Sequence, residues 1–134
     1  MIYGQGIDLV KIDRIKNTID KFGIRFIKRI FSKNEIRLDD LLNNITSLNS
    51  IRLYASRFAI KEAASKAIGT GISGGIEFKQ IEVIKLKSGK PTIKYLDHAK
   101  KIFLNLEKEK KKLNVHVSLS NEKDYAIAIV TISN

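Results

Sequence analysis

Cysteine is absent from the 134-residue chain, and proline occurs once, at Pro91. Without cysteine there is no disulfide framework, no thiolate metal site and no cysteine nucleophile, and the composition suits a reducing compartment. No apolar run approaches the roughly 20 residues that a bilayer-spanning helix requires. The opening Met1-Ile2-Tyr3-Gly4-Gln5-Gly6 lacks the basic segment of a secretion signal. Internal repeats and linkers are missing too. These absences lead to the expectation of a soluble cytoplasmic protein with a single domain over residues 1–134. Such a length lies in the usual range for one domain, about 100–150 residues. It buries roughly two-thirds of the surface exposed by the unfolded chain, enough for a core without staples.

What is abundant is positive charge: 25 Lys and Arg against 14 Asp and Glu, a formal net charge of +11. Lysine, isoleucine and asparagine are used generously throughout, so part of the excess reads as compositional drift. The remainder attracts acidic partners and speeds encounter with them. Nucleic acid, an anionic membrane face, a polyphosphate ligand and an acidic protein all qualify, and charge alone does not choose among them.

Residues 2–10 read as a strand in which Ile7 and Leu9 share one face and Asp8 points to the other. Ile12, Ile15, Ile19 and Phe22 recur at helical spacing and Gly23 ends the run. A shorter turn over 26–31 leads to Ser32-Lys33-Asn34-Glu35, a capping-box pattern. Residues 43–50 are polar and read as a mobile loop. The strongest helix runs from about Ser50 to Ile68, with Tyr54, Ala55, Phe58, Ala59 and Ala63 as its apolar stripe. Residues 78–87 and 92–95 read as two strands around a Ser88-Gly89-Lys90-Pro91 turn. A helix capped by Asp97 is expected to run to about Lys112, burying Ala99, Ile102, Phe103 and Leu106, with lysines 108–112 as its solvated end. Strands over 115–120 and 125–132 close the chain. The pattern predicts an α+β fold, an antiparallel sheet packed on one long central helix.

Asp8 interrupts an apolar strand, as an exposed strand face or solvated strand end would. The sharper reading is a hard oxygen ligand, since magnesium takes one or two carboxylates together with phosphate oxygens and water. Glu62 and Lys66 stand four apart on one helical face, which alone describes an ion pair worth a few tenths of a kcal/mol, about 0.2–0.5. Ala63, Ala64 and Ala67 surround that pair, however, and a carboxylate drawn deep into a domain needs a cation. A metal shared with Asp8 and a ligand's phosphates meets that need. Gly69-Thr70-Gly71 follows a helix, so it is no P-loop; it is a C-cap with room for a ligand's close approach. Lys90 belongs either to a plain hairpin turn or to a phosphate contact. His116 shares a polar strand face with Ser118 and Ser120, and neither serine has a base beside it. Arg14, Lys21, Arg25 and Lys28 fall roughly on one side of the first helices, as a solvated face or as a dock for an acidic partner.

Taken in order, Gly6-Ile7-Asp8-Leu9-Val10, the block from Arg57 to Gly71 (RFAIKEAASKAIGTG), Gly89-Lys90-Pro91 and His116-Val117-Ser118-Leu119-Ser120 resemble the holo-[acyl-carrier-protein] synthase family, the short bacterial phosphopantetheinyl transferases. The resemblance spans essentially the whole chain, and the middle block is its most specific part. It implies a phosphopantetheinyl transferase-like fold, a homotrimer with active sites between subunits, and no nucleic-acid or membrane partner. It implies transfer of 4′-phosphopantetheine from coenzyme A to a serine of an acidic acyl carrier protein in support of fatty acid biosynthesis, releasing 3′,5′-ADP. Asp8 and Glu62 are then the magnesium ligands and Lys66 lies near the phosphates; Lys66 and His116 join those two carboxylates as catalytic residues. Coenzyme A falls to Arg57, Lys66, Gly69-Thr70-Gly71, Gly89-Lys90-Pro91 and His116. Arg14, Lys21, Arg25 and Lys28 become the carrier dock. The proton acceptor stays open among a metal-bound water, Glu62 and His116. One departure is visible: Asn121 stands where members often carry a second histidine. The competing readings are a basic nucleic-acid-binding module without catalysis, and a scaffolding trimer with a degenerate site.

Overall fold

The computed structural model describes residues 1–43, 45, 47–107 and 112–134. Strand β1 (Ile2–Lys11) leads into helices α1 (Ile12–Phe22), α2 (Ile24–Ile30) and the one-turn α3 (Leu38–Leu42). The long helix α4 (Leu48–Ala67) follows. A 3-10 turn (Phe78–Gln80) then leads to strands β2 (Ile81–Lys85) and β3 (Pro91–Tyr95), helix α5 (Asp97–Asn105), and strands β4 (Asn114–Asn121) and β5 (Tyr125–Ser133). The strands form two antiparallel units, a three-stranded sheet in the order β1-β5-β4 and a β2-β3 hairpin. The expected α+β class and long central helix are present; the single sheet is divided in two.

Helix α4 is the axis. Ser47 caps it by accepting from the Ser50 N–H at 3.4 Å, and all five residues of the predicted stripe are buried. So are Ile51, Ile60, Ala64 and Ala67 on other sides, because β1 and β5, α1 and β2 all pack on this helix. Sheet register explains which strand residues face it. Gly6, Asp8 and Val10 pair with Val130, Ala128 and Ala126, the buried side of β5, whereas Ile7 and Leu9 pair with Ile129 and Ile127. The period-two alternation therefore turns Asp8 toward α4 and leaves Ile7 and Leu9 on the outer, exposed face.

Several boundaries differ from expectation for local reasons. Residues 78–80 curl instead of pairing, since the Lys61 Nζ takes the carbonyls of Phe78 (3.0 Å) and Ile81 (2.6 Å). Helix α5 starts with Asp97 as its first residue, not its cap, and closes at Asn105. The expected extension over lysines 108–111 lies outside the described residues. Of the expected loop at 43–50, Asn44 and Thr46 also lie outside them, Ile45 is a buried core residue, and α4 already begins at Leu48.

Candidate active site

The approach of β1 to α4 builds the site. A Cβ placed on Gly4 would stand 1.9 Å from the Ala67 carbonyl oxygen, and one on Gly6 1.9 Å from that of Ala63. Only glycine lets this strand lie directly on the helix backbone. Asp8, the next inward residue, then meets the face of α4 on which Phe58, Glu62 and Lys66 follow one another at four-residue steps. Lys66 Nζ donates to Asp8 Oδ1 at 3.0 Å and to the Ile7 carbonyl at 2.9 Å. Burial raises the Glu62 carboxyl above the ordinary glutamate value, and the negative charge of Asp8 raises it further, against the opposing pull of Lys66 and Arg14. Arg14 reaches this group from α1, its guanidinium 5.8 Å from the centre of the Phe58 ring.

Asp8, Glu62, Lys66 and Arg14 thus share one electrostatic neighbourhood. Two carboxylates held where they repel each other, one of them short of solvent, suit a hard cation. No cluster of three or more His, Cys, Asp or Glu that could hold a metal occurs among the described residues. The pair would leave the remaining positions of a magnesium ion to phosphate oxygens and water, which is how that ion is usually held.

The other sequence candidates lie apart. Gly69 (φ 86°) and Gly71 (φ 63°) cap α4 in the left-handed region just beyond Lys66, and Thr70 Oγ1 bonds back to the Ser65 carbonyl at 3.3 Å. Arg57 donates to the Glu35 carbonyl, on a different side of α4 from Glu62. Gly89, Lys90 and Pro91 form the exposed end of the β2-β3 hairpin, with no hydrogen bond to the carboxylates among the described residues. His116 pairs with Thr131, so it sits on the outer face of the sheet, opposite Asp8, with Nε2 3.1 Å from Ser133 Oγ. One chain alone does not bring His116 to the carboxylate pair. Asn121 donates to Ser56 Oγ at 3.1 Å and ties the end of β4 to α4.

The basic face predicted on the first helices is divided. Arg14 joins the carboxylates, and Lys21 rests against its neighbour Phe22, with Nζ 5.2 Å from the ring centre. Arg25 lines a cavity of about 900 Å³ between α1-α2 and residues 72–79, together with Arg29 and Lys79, which the sequence reading did not select. Phe22, Phe26, Ile72, Ile76 and Phe78 make its walls, and Lys28 is not among its lining residues. Sequence reasoning also missed a fully buried ion pair, Lys61 Nζ to Glu35 Oε1 at 2.7 Å. The capping-box pattern located half of it, because Glu35 does accept from the Ser32 N–H at 2.9 Å.

Comparison with known proteins bears on the chain as a whole. Residues 4–130 match the family model of the 4′-phosphopantetheinyl transferase superfamily. The chain is 44% identical over 133 residues to a holo-[acyl-carrier-protein] synthase of Buchnera aphidicola, covering 99% of this chain and 98% of the relative. It is 42% identical to the enzyme of that name from Erwinia tasmaniensis, with the same coverages. Among solved structures, the holo-[acyl-carrier-protein] synthase of Neisseria meningitidis superposes with a TM-score of 0.78 at 36% identity, over 100% of both chains. That of Helicobacter pylori, in complex with coenzyme A, gives 0.74 at 31% identity over 96% of this chain and 99% of the other.

Proposed function

The chain belongs to the 4′-phosphopantetheinyl transferase superfamily, and from that membership and the site we infer what it does. It transfers the 4′-phosphopantetheine group of coenzyme A to a serine of an apo acyl carrier protein, giving the holo carrier and 3′,5′-ADP. The observation that carries the reading in this chain is the convergence of Asp8, Glu62 and Lys66 where β1 lies on α4.

The serine hydroxyl forms a bond to the phosphorus that carries the pantetheine arm, and the bond from that phosphorus to 3′,5′-ADP breaks. Such chemistry asks a protein mainly for positioning and charge neutralisation. Asp8 and Glu62 would hold a magnesium ion against the pyrophosphate. When bound, that ion supplies positive charge to the phosphate oxygens and to the leaving group. Lys66, already anchored on Asp8 and the Ile7 carbonyl, adds a fixed ammonium beside the same oxygens. With both carboxylates turned to the metal, the hydroxyl proton passes to a water molecule of the site.

The cavity beside α1 and α2 suits the carrier. Arg25, Arg29 and Lys79 offer charge to an acidic helix, and the aromatic and isoleucine walls receive an apolar residue from it. The outer sheet face supports the trimer: Ile7, Leu9, Tyr125 and Ile129 are exposed there, and His116 lies among them. Packed against another subunit, that face would carry His116 toward a neighbour's coenzyme A. The same reading places the protein in the cytoplasm and in fatty acid biosynthesis; no described helix is long and apolar enough to cross a membrane. The nucleic-acid alternative finds no support among the relatives, which are phosphopantetheinyl transferases by family and holo-[acyl-carrier-protein] synthases by name.

Intact-mass measurement of an apo carrier protein incubated with this chain, coenzyme A and magnesium tests the reaction. The carrier gains the mass of one phosphopantetheine; an unchanged carrier contradicts the assignment.

A further inference from the structure

Lys61 and Glu35 are fully buried, and nothing in the transfer chemistry uses them. Their bonds are complete. Lys61 Nζ donates to Glu35 Oε1 (2.7 Å), to the Phe78 carbonyl (3.0 Å) and to the Ile81 carbonyl (2.6 Å), which exhausts its three protons. Glu35 Oε1 also accepts from the Ser32 N–H (2.9 Å), and its Oε2 accepts from the Val83 N–H (3.1 Å). One ion pair thereby joins α4, the turn over 32–35, and the segment from the 3-10 turn into β2. A buried pair of this kind is weak evidence for stability, because desolvating two ions offsets most of their attraction. What it does supply is direction: three acceptors at fixed angles around one ammonium.

The place of that direction matters. Lys61 immediately precedes Glu62 on α4, so the pair fixes the helix on one side of Glu62. On the other side, Gly4 and Gly6 lie on the backbone of Ala63 and Ala67. These two restraints together oppose rotation of α4 about its axis. The same ammonium holds the backbone of Phe78, whose ring stacks on Phe58 at 5.0 Å, one helical turn before Glu62. We propose that Lys61 and Glu35 act as a positioning pair that sets the rotation of α4, and through it the distance of the Glu62 carboxylate from Asp8. The inference rests on the reading of Asp8 and Glu62 as the joint magnesium ligands.

The test compares Lys61→Met and the doubly neutral Lys61→Met/Glu35→Leu with the unmodified chain. Thermal melts report folding, and calorimetric titration of magnesium into the coenzyme A-bound chain reports the geometry of the carboxylates. A misplacement of about 1 Å can cost a reaction about 100-fold. The folded variants are therefore expected to lose about tenfold or more in both magnesium affinity and kcat. The double variant buries no unpaired ion, but it leaves the Phe78 and Ile81 carbonyls and the Ser32 and Val83 N–H groups without these partners, so its melting temperature falls as well and the comparison is made below that temperature. A folded variant with unmodified magnesium affinity overturns the proposal. Failure of both variants to fold also overturns it, by making the pair a requirement of folding. If the unmodified chain itself takes up no magnesium with coenzyme A, the reading of the carboxylate pair fails instead, and the two failures are distinct.

Discussion

Glu62 is held where ionisation is resisted, half-buried and facing a second carboxylate. That has a sign. A carboxyl whose folded value lies above its unfolded one favours the folded state while it is protonated, below the unfolded value of about 4.5. The advantage is lost as pH rises through the raised folded value, so at neutral pH the ionised Glu62 works against folding. Glu62→Gln is accordingly expected to melt higher than the unmodified chain at pH 7.5 and to lose that margin near pH 4, while transfer is abolished. A lower melting temperature at pH 7.5 contradicts this electrostatic account. At the residue scale Asp8 was marked out by interrupting an apolar strand, but the alternation gave only that it faces away from Ile7 and Leu9, not that its own side would pack on α4. Glu35 and Lys61 were not legible as a pair: 26 positions separate them, and no local period links such residues. The contact of Arg14 with Phe58 was not legible for a related reason, since a helical position gives the side a residue occupies but not its neighbour on another helix.

Among the elements, the contact of β1 with α4 builds the proposed site. Its ingredients were visible, two glycines before the aspartate and a run of alanines around the glutamate, but that they meet is a tertiary fact. Helix α4 was readable from its stripe, and the fully surrounded position was not, because a stripe reports only the dominant face. The five-residue α3 escaped notice; so short a helix does not repeat its pattern and is held by packing. Its Asp40, a buried side chain, accepts from Tyr54 Oη at 2.6 Å and Ser50 Oγ at 2.8 Å. Helices α1 and α2 border the cavity proposed as the carrier's dock, and the prediction there is selective. Arg25→Glu, with the charge reversed at the cavity rim, is expected to raise the KM for the carrier about tenfold at low salt and to leave the KM for coenzyme A within about twofold. Steady-state kinetics with each substrate varied separately checks it, and an unchanged carrier KM removes the cavity from the docking surface.

In the whole molecule, one chain presents the carboxylates on the α4 side of the sheet and His116 on the other. A site assembled from two subunits resolves this separation, and it leads to a complementation experiment. Asp8→Ala and His116→Ala chains, each weak alone, are co-refolded so that mixed trimers form. Some of their sites then receive an intact carboxylate pair from one chain and an intact His116 from another, so transfer activity rises well above the sum of the two separate preparations. No gain on mixing, with trimers verified by sedimentation, places all catalytic groups within one chain. In the sequence, the proposal of such an assembly rests on family resemblance alone, since an exposed Ile7 or Leu9 looks like any outward strand residue until the face is seen whole.

The most direct test concerns the ion proposed to lie between strand and helix. Magnesium is titrated calorimetrically into the coenzyme A complexes of the unmodified, Asp8→Ala and Glu62→Ala chains. The account predicts saturable uptake of one ion per site by the unmodified chain and, in each variant, affinity weakened about 100-fold or lost. Equal magnesium affinity in all three chains contradicts it.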